Sequence, residues 1–137
     1  MSIRDAWKLC RIGKQYSFSA AHFLPLVGAN HPCRRMHGHN YVVELEVRGE
    51  IAPVDGFCSN IDFFQLDLLM KPILEKIDHR TLNDEIENPT AELIAQYIMD
   101  EINKNRAILF SVKVWETPKC FAMVVNKDGV YKPEHRE

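Results

Sequence analysis

Of the six histidines in this chain, His31, His37 and His39 fall within nine residues, and His22 stands just before them. His37-Gly38-His39 opens an alternating segment. A strand has a side-chain period of two, so His37 and His39 point to the same side. His22 closes the preceding alternating segment on its apolar parity. If the two segments pair antiparallel, the end of the first lies beside the start of the second, and three imidazoles converge. Three protein nitrogens with a fourth position open is the catalytic zinc pattern, as opposed to a closed four-ligand structural site. Gly38 permits close approach on the far face. The alternative is a set of surface or core histidines that holds no metal.

Other residues of chemical interest surround this cluster. Cys33 lies four residues before His37 and is followed by Arg34 and Arg35. A thiol acts as nucleophile or base only as the thiolate, which nearby cations or a metal favour. Cys33 is thus a candidate fourth ligand, a candidate catalytic base or nucleophile, or a passive loop residue. Asp78-His79 pairs a carboxylate with an imidazole able to shuttle protons. It also fits a helix C-terminal His favoured by the helix dipole. Glu116 continues the parity of Phe110, Val112 and Val114, either as a ligand anchor or as the point where a strand becomes exposed.

The elements that must position these residues follow from periodicity. Residues 14–22 alternate, with Tyr16, Phe18, Ala20 and His22 on one side, and read as a half-buried strand. Residues 24–36 read as a loop. Residues 39–49 alternate again: Tyr41, Val43, Leu45 and Val47 face one way, and Glu44, Glu46 and Arg48 the other. Pro53-Val54-Asp55-Gly56 is turn chemistry. Asp62 is a candidate N-cap for a helix carrying Leu66, Leu69, Met70, Ile73 and Ile77, in which Pro72 predicts a kink or a break. A second helix starts at Asn88-Pro89-Thr90, capped by Asn88 or by Thr90. Its stripe is Ile94, Tyr97, Ile98 and Ile102, and it ends at 103–105. Strands follow at 110–114 and 121–125, the last closed by Asp128-Gly129, with a polar tail after Val130. The order ββααββ predicts an α+β fold, a four-stranded antiparallel sheet with two helices on one face. Open sheet edges predict oligomerisation through the sheets.

Composition bounds the rest. The 137 residues fit a single domain, 1–137, with a core at about 14–130. Hydrophobic residues make up 46% and charged residues 26%, so a globular chain is expected. With 17 Lys+Arg against 19 Asp+Glu, the formal charge is −2, without the basic excess usual for a nucleic-acid partner. No apolar stretch approaches a membrane span or a signal peptide, so a cytoplasmic protein is expected. The four cysteines are scattered and contain no C-x-x-C pair, which in a reducing compartment points to free thiols.

Taken together, the motifs resemble the 6-pyruvoyltetrahydropterin synthase / 6-carboxytetrahydropterin synthase family. The matching pieces are Phe18-Ser19-Ala20-Ala21-His22, Cys33-x-x-x-His37-Gly38-His39-Asn40, Ile61-Asp62-Phe63, Asp78-His79 with Leu82-Asn83, Glu87-Asn88-Pro89-Thr90-x-Glu92, and Val114-x-Glu116-Thr117. They span most of the chain, from Tyr16 to Thr117. The resemblance implies the tunnelling fold and a homo-oligomeric barrel, a hexamer of two trimers being favoured over a tetramer. It implies zinc on His22, His37 and His39, with Cys33 as catalytic thiol. Asp78 and His79 complete proton transfer, and Glu116 anchors the pterin ring. Pro89 and Thr90 belong to a turn that lines the pterin pocket from a neighbouring subunit.

Three residues, Arg34-Arg35-Met36, separate Cys33 from His37. That spacing resembles the bacterial 6-carboxytetrahydropterin synthases of the queuosine pathway, whereas five resemble the pyruvoyl-forming enzymes. The implied reaction converts 7,8-dihydroneopterin triphosphate to 6-carboxy-5,6,7,8-tetrahydropterin, acetaldehyde and triphosphate. Pyruvoyl-forming or folate-branch chemistry on the same fold is the alternative, followed by a non-catalytic zinc- or pterin-binding module. The chain departs from the pattern in a segment about two residues longer at 57–61 and in charged extensions at both ends.

Overall fold

The structure is a computed structural model that describes residues 8–127. The strand end read at Asp128-Gly129 and the tail beyond it lie outside the described residues. Strands β1 (Leu9–His22) and β2 (His37–Glu50) form a long antiparallel hairpin. Helix α1 (Phe63–Ile77) follows, then a two-residue strand β3 (Arg80–Thr81). Helix α2 (Ala91–Asn103) leads into the hairpin β4 (Ser111–Thr117) and β5 (Cys120–Val125). The spatial order is β3-β1-β2-β4-β5.

The expected four-stranded antiparallel sheet therefore needs correction. The sheet has five strands and is mixed, because β3 pairs parallel with β1 through Ala20 and Thr81's neighbour Arg80. Two residues are too few to carry an alternation, so β3 left no mark in the hydropathy pattern. Strand β1 also begins at Leu9 rather than at 14, because its whole length finds partners in β2, from Leu9 opposite Glu50 to His22 opposite His37.

Both helices cover one face, and the alternation explains why. Phe18, Ala20, Tyr41, Val43, Leu45, Val47, Val112 and Val114 are buried in one cluster with the apolar stripes of the helices. In α1 the buried residues are Leu66, Met70, Ile73 and Ile77. Asp62 caps it in a capping box: Gln65 N donates to Asp62 Oδ1 at 2.7 Å, and Asp62 N donates to Gln65 Oε1 at 2.8 Å. The helix continues through Pro72 instead of breaking there. Pro72 lies on the exposed side, where the carbonyl of Leu68, left without its usual donor, can turn to water. Thr90, not Asn88, caps α2, its hydroxyl accepting from Leu93 N at 3.1 Å.

On the helix-free face, Glu46 is buried rather than solvated. It accepts from Arg11 Nε and Arg48 Nε at 2.7 Å each and from Ser111 Oγ at 2.7 Å. The 51–61 segment folds back on the hairpin, with left-handed backbone at Gly56, Ser59 and Asn60. It packs so tightly that a Cβ on Gly49 would stand 1.7 Å from Ser59 Oγ.

Candidate metal centre and catalytic site

The β1–β2 register builds the site. It sets His22 opposite His37 and Ala20 opposite His39, so all three histidines sit on the helix-covered side at one end of the hairpin. One ring nitrogen from each falls within 4.8 Å of the others. His22 is buried, and His37 and His39 are half-buried. The rings meet edge to face, with centroids 4.5 Å (His22–His37), 5.2 Å (His22–His39) and 5.0 Å (His37–His39) apart.

The outer nitrogens are held by the main chain. His22 Nδ1 lies 2.8 Å from the Pro89 carbonyl and 3.2 Å from the Tyr41 hydroxyl, and His37 Nδ1 lies 2.7 Å from the Arg35 carbonyl. A carbonyl only accepts, so each Nδ1 carries a proton, and in the neutral ring Nε2 then keeps its lone pair. The two Nε2 atoms are 2.9 Å apart. Two lone pairs facing each other at that distance repel unless a cation lies between them. Burial lowers the pKa of His22, against the opposing pull of the Pro89 carbonyl, and burial likewise lowers that of His39, against the charge of Glu116. Three imidazoles, two of them fixed from behind by main-chain acceptors, are a donor set that a metal ion takes. The residues fit a metal.

Glu116 approaches from β4, its Oε2 3.9 Å from His39 Nε2. Cys33 lies in a short 3-10 turn, Pro32–Arg34, half-buried. Among the described residues it is not gathered with the three nitrogens, so the fourth-ligand arrangement is not formed. Asp78 ends α1, and His79 turns the chain with a left-handed φ of 60°. His79 N donates to the Ser19 carbonyl at 2.6 Å, and Ser19 N donates to Asp78 Oδ1 at 3.0 Å. The same carboxylate oxygen is 2.9 Å from His79 Nδ1. The Ser19 N–H, foremost, and the charge of His79 hold the Asp78 carboxyl below its usual range. The His79 side chain is 82% exposed, presented outward from this chain. Pro89 is buried behind His22, and Thr90 caps α2.

Sequence reasoning missed the residues that act from behind. Tyr41 and the carbonyls of Arg35 and Pro89 have no signature of their own. Asn83 had one, since it closes the segment Asp78-His79 with Leu82-Asn83. Its side chain clamps the backbone just past His22, accepting from Phe23 N at 3.0 Å and donating to Phe23 O at 2.9 Å.

Residues 11–127 match the family described as 6-pyruvoyl tetrahydropterin synthase. The chain belongs to that family. Among similar members, a 6-carboxy-5,6,7,8-tetrahydropterin synthase of Bacillus subtilis is 31% identical over 132 residues, covering 86% of each chain. A dihydroneopterin monophosphate aldolase of Pyrococcus furiosus is 36% identical over 95 residues, covering 69% of this chain and 76% of its own. The solved 6-pyruvoyl tetrahydropterin synthase of Caenorhabditis elegans superposes with a TM-score of 0.76 at 29% identity, covering 87% of this chain and 96% of that one. The fold is thus the tunnelling fold of this family, and these three relatives carry three different activity names. No helix among the described residues is long and apolar enough to cross a membrane.

Proposed function

We propose that the protein is a zinc-dependent 6-carboxy-5,6,7,8-tetrahydropterin synthase of queuosine biosynthesis. It would convert 7,8-dihydroneopterin triphosphate and water to 6-carboxytetrahydropterin, acetaldehyde and triphosphate. The observation that carries this reading is the convergence of His22, His37 and His39 with Glu116 beside His39. The three-residue spacing from Cys33 to His37 favours the carboxy product. A pyruvoyl or folate-branch product is the second reading, with one similar protein named a 6-pyruvoyl tetrahydropterin synthase and another a dihydroneopterin monophosphate aldolase.

His22, His37 and His39 would hold the zinc, which would supply Lewis-acid chemistry toward substrate hydroxyls. The chain's own residues do the rest. Glu116 accepts two hydrogen bonds from the guanidine-like edge of the pterin and fixes the ring. Pro89 and Thr90 bound the ring's pocket from a neighbouring subunit. Cys33, as thiolate, takes a proton from the substrate side chain. His79, held by Asp78, returns one elsewhere, and the redistribution prepares the carbon–carbon cleavage. Binding alone would need neither thiol nor relay, which sets a non-catalytic module aside.

The exposure of His79 and the apolar β5 side chains Phe121, Met123 and Val125 support a homo-oligomer with sites at subunit boundaries, a hexamer of two trimers being favoured. A cytoplasmic location agrees with the four free cysteines. The deciding experiment incubates zinc-loaded protein with dihydroneopterin triphosphate and identifies the products. Carboxytetrahydropterin with equimolar acetaldehyde is expected, and a pyruvoyl product without acetaldehyde overturns the reading.

A further inference from the structure

One open cleft of about 480 Å³ runs across neighbouring parts of β3, β1 and β2, lined by His39, Asn40, His79, Arg80 and Thr81 together with Ser19. Among the described residues, no carboxylate lines it. The neighbouring cavities differ: one carries Glu85, Glu87 and Asp100, and another Asp67, Glu75 and Asp78. The donors in the acid-free cleft are available. Ser19 Oγ donates to Asn40 Oδ1 at 2.8 Å, which leaves the Asn40 amide nitrogen without a partner among the described residues. His79 spends Nδ1 on Asp78 and keeps Nε2.

Arg80 is the cation of this cleft. Its exposed guanidinium has no hydrogen-bond or ion-pair partner among the described residues. Several other cations are engaged: Arg11 and Arg48 on Glu46, Lys14 on Asp67, and Arg34 on the Val27 carbonyl at 2.8 Å. Strand β3 fixes the position of Arg80, since its backbone pairs with Ala20, two residues before His22. Neither Arg34 nor Arg35, the cations that sequence proximity suggests, lines the cleft.

We propose that this cleft is a polyphosphate subsite in which Arg80 positions the substrate's triphosphate chain, with Asn40 and Thr81 as neutral donors. A planar guanidinium matches phosphate oxygens in pairs, and a chain of phosphates needs a wall without carboxylates. The assignment rests on the reading that the substrate carries a triphosphate. Arg80 positions and takes no part in proton transfer.

Calorimetry with inorganic triphosphate tests the subsite without turnover. Loss of a charge-assisted contact predicts a roughly tenfold to hundredfold weaker Kd in Arg80→Ala. Arg80→Lys falls between, and Arg106→Ala, an exposed cation outside the cleft, stays within about twofold of the wild type. In turnover, the KM for dihydroneopterin triphosphate rises in Arg80→Ala by more than kcat falls. Equal triphosphate affinity in Arg80→Ala and wild type overturns the assignment. So does an equal loss in Arg106→Ala, which would be a bulk charge effect. A wild-type protein that binds triphosphate through Arg80 but leaves dihydroneopterin triphosphate unchanged overturns the proposed reaction and keeps the subsite.

Discussion

His22 Nε2 and His37 Nε2 face each other at 2.9 Å from directly opposed positions on two strands, each ring pinned from behind by a main-chain carbonyl. The arrangement places electron pairs toward a common point and gives that point a preference for a cation. Removing one ring should abolish the preference rather than weaken it. His37→Ala and His39→Ala are expected to purify with far less than one zinc per chain. Metal analysis checks this, and undiminished zinc in both variants would contradict the ligand set.

Tyr41 stacks on Phe18 with ring centroids 4.8 Å apart and brings its hydroxyl to 3.2 Å from His22 Nδ1. Tyr41→Phe keeps the stack and removes one of the two oxygens at that nitrogen. The fold should persist while metal affinity falls by about tenfold, the low end for a group that orients a ligand. Competition against a chelator measures it; unchanged affinity would assign the orientation to Pro89 alone.

Cys33→Ala should retain zinc and folding and lose turnover by roughly a hundredfold to ten-thousandfold, the range for a general acid–base group. Zinc content and product formation are read on one preparation. Joint loss of both would make Cys33 a ligand, and full retention of both would make it a bystander.

Arg11 and Arg48 stand directly opposite each other, a repulsive pairing that Glu46 neutralises from between them. Burial pushes the Glu46 carboxyl up, but the hydrogen bonds of Arg48 and Ser111 and the charges of Arg48 and Arg11 outweigh it and hold the group below its usual value. A depressed carboxyl stabilises the fold fully above its unfolded value of 4.5 and loses that contribution as pH falls through the folded value. Glu46→Gln should therefore cost about 1–3 kcal/mol near neutral pH. The gap to the wild type should close in acid. Urea melts at several pH values follow it, and a gap that widens in acid would refute the assignment.

The hairpin and the three histidines were legible because alternation and register share one period. Tyr41, Val43, Leu45 and Val47 declared the buried face of β2, and the same parity carried His37 and His39 onto it. The Asp62 cap was equally plain, because a cap is a local interaction. What escaped depends on partners distant in sequence. Strand β3 follows a left-handed turn at His79 that brings Arg80 to the edge of β1, a partner distant in sequence. Glu46 looked like a surface residue, since nothing local shows that Arg11 and Ser111 will close over it. Pro72 looked like a breaker because exposure, which makes it tolerable, is a tertiary property.

The register of β1 on β2 extends from Leu9 opposite Glu50 to His22 opposite His37. A slip of one position would turn one strand's histidines to the other side of the sheet, and a slip of two would draw His22 away from His37 along the ladder. A chain paired in either wrong way still contains every residue of the centre, yet cannot gather the three nitrogens. With a metal on the three histidines as proposed, metal stoichiometry in a preparation would count correctly aligned molecules, and metal uptake during refolding would time the moment the hairpin locks.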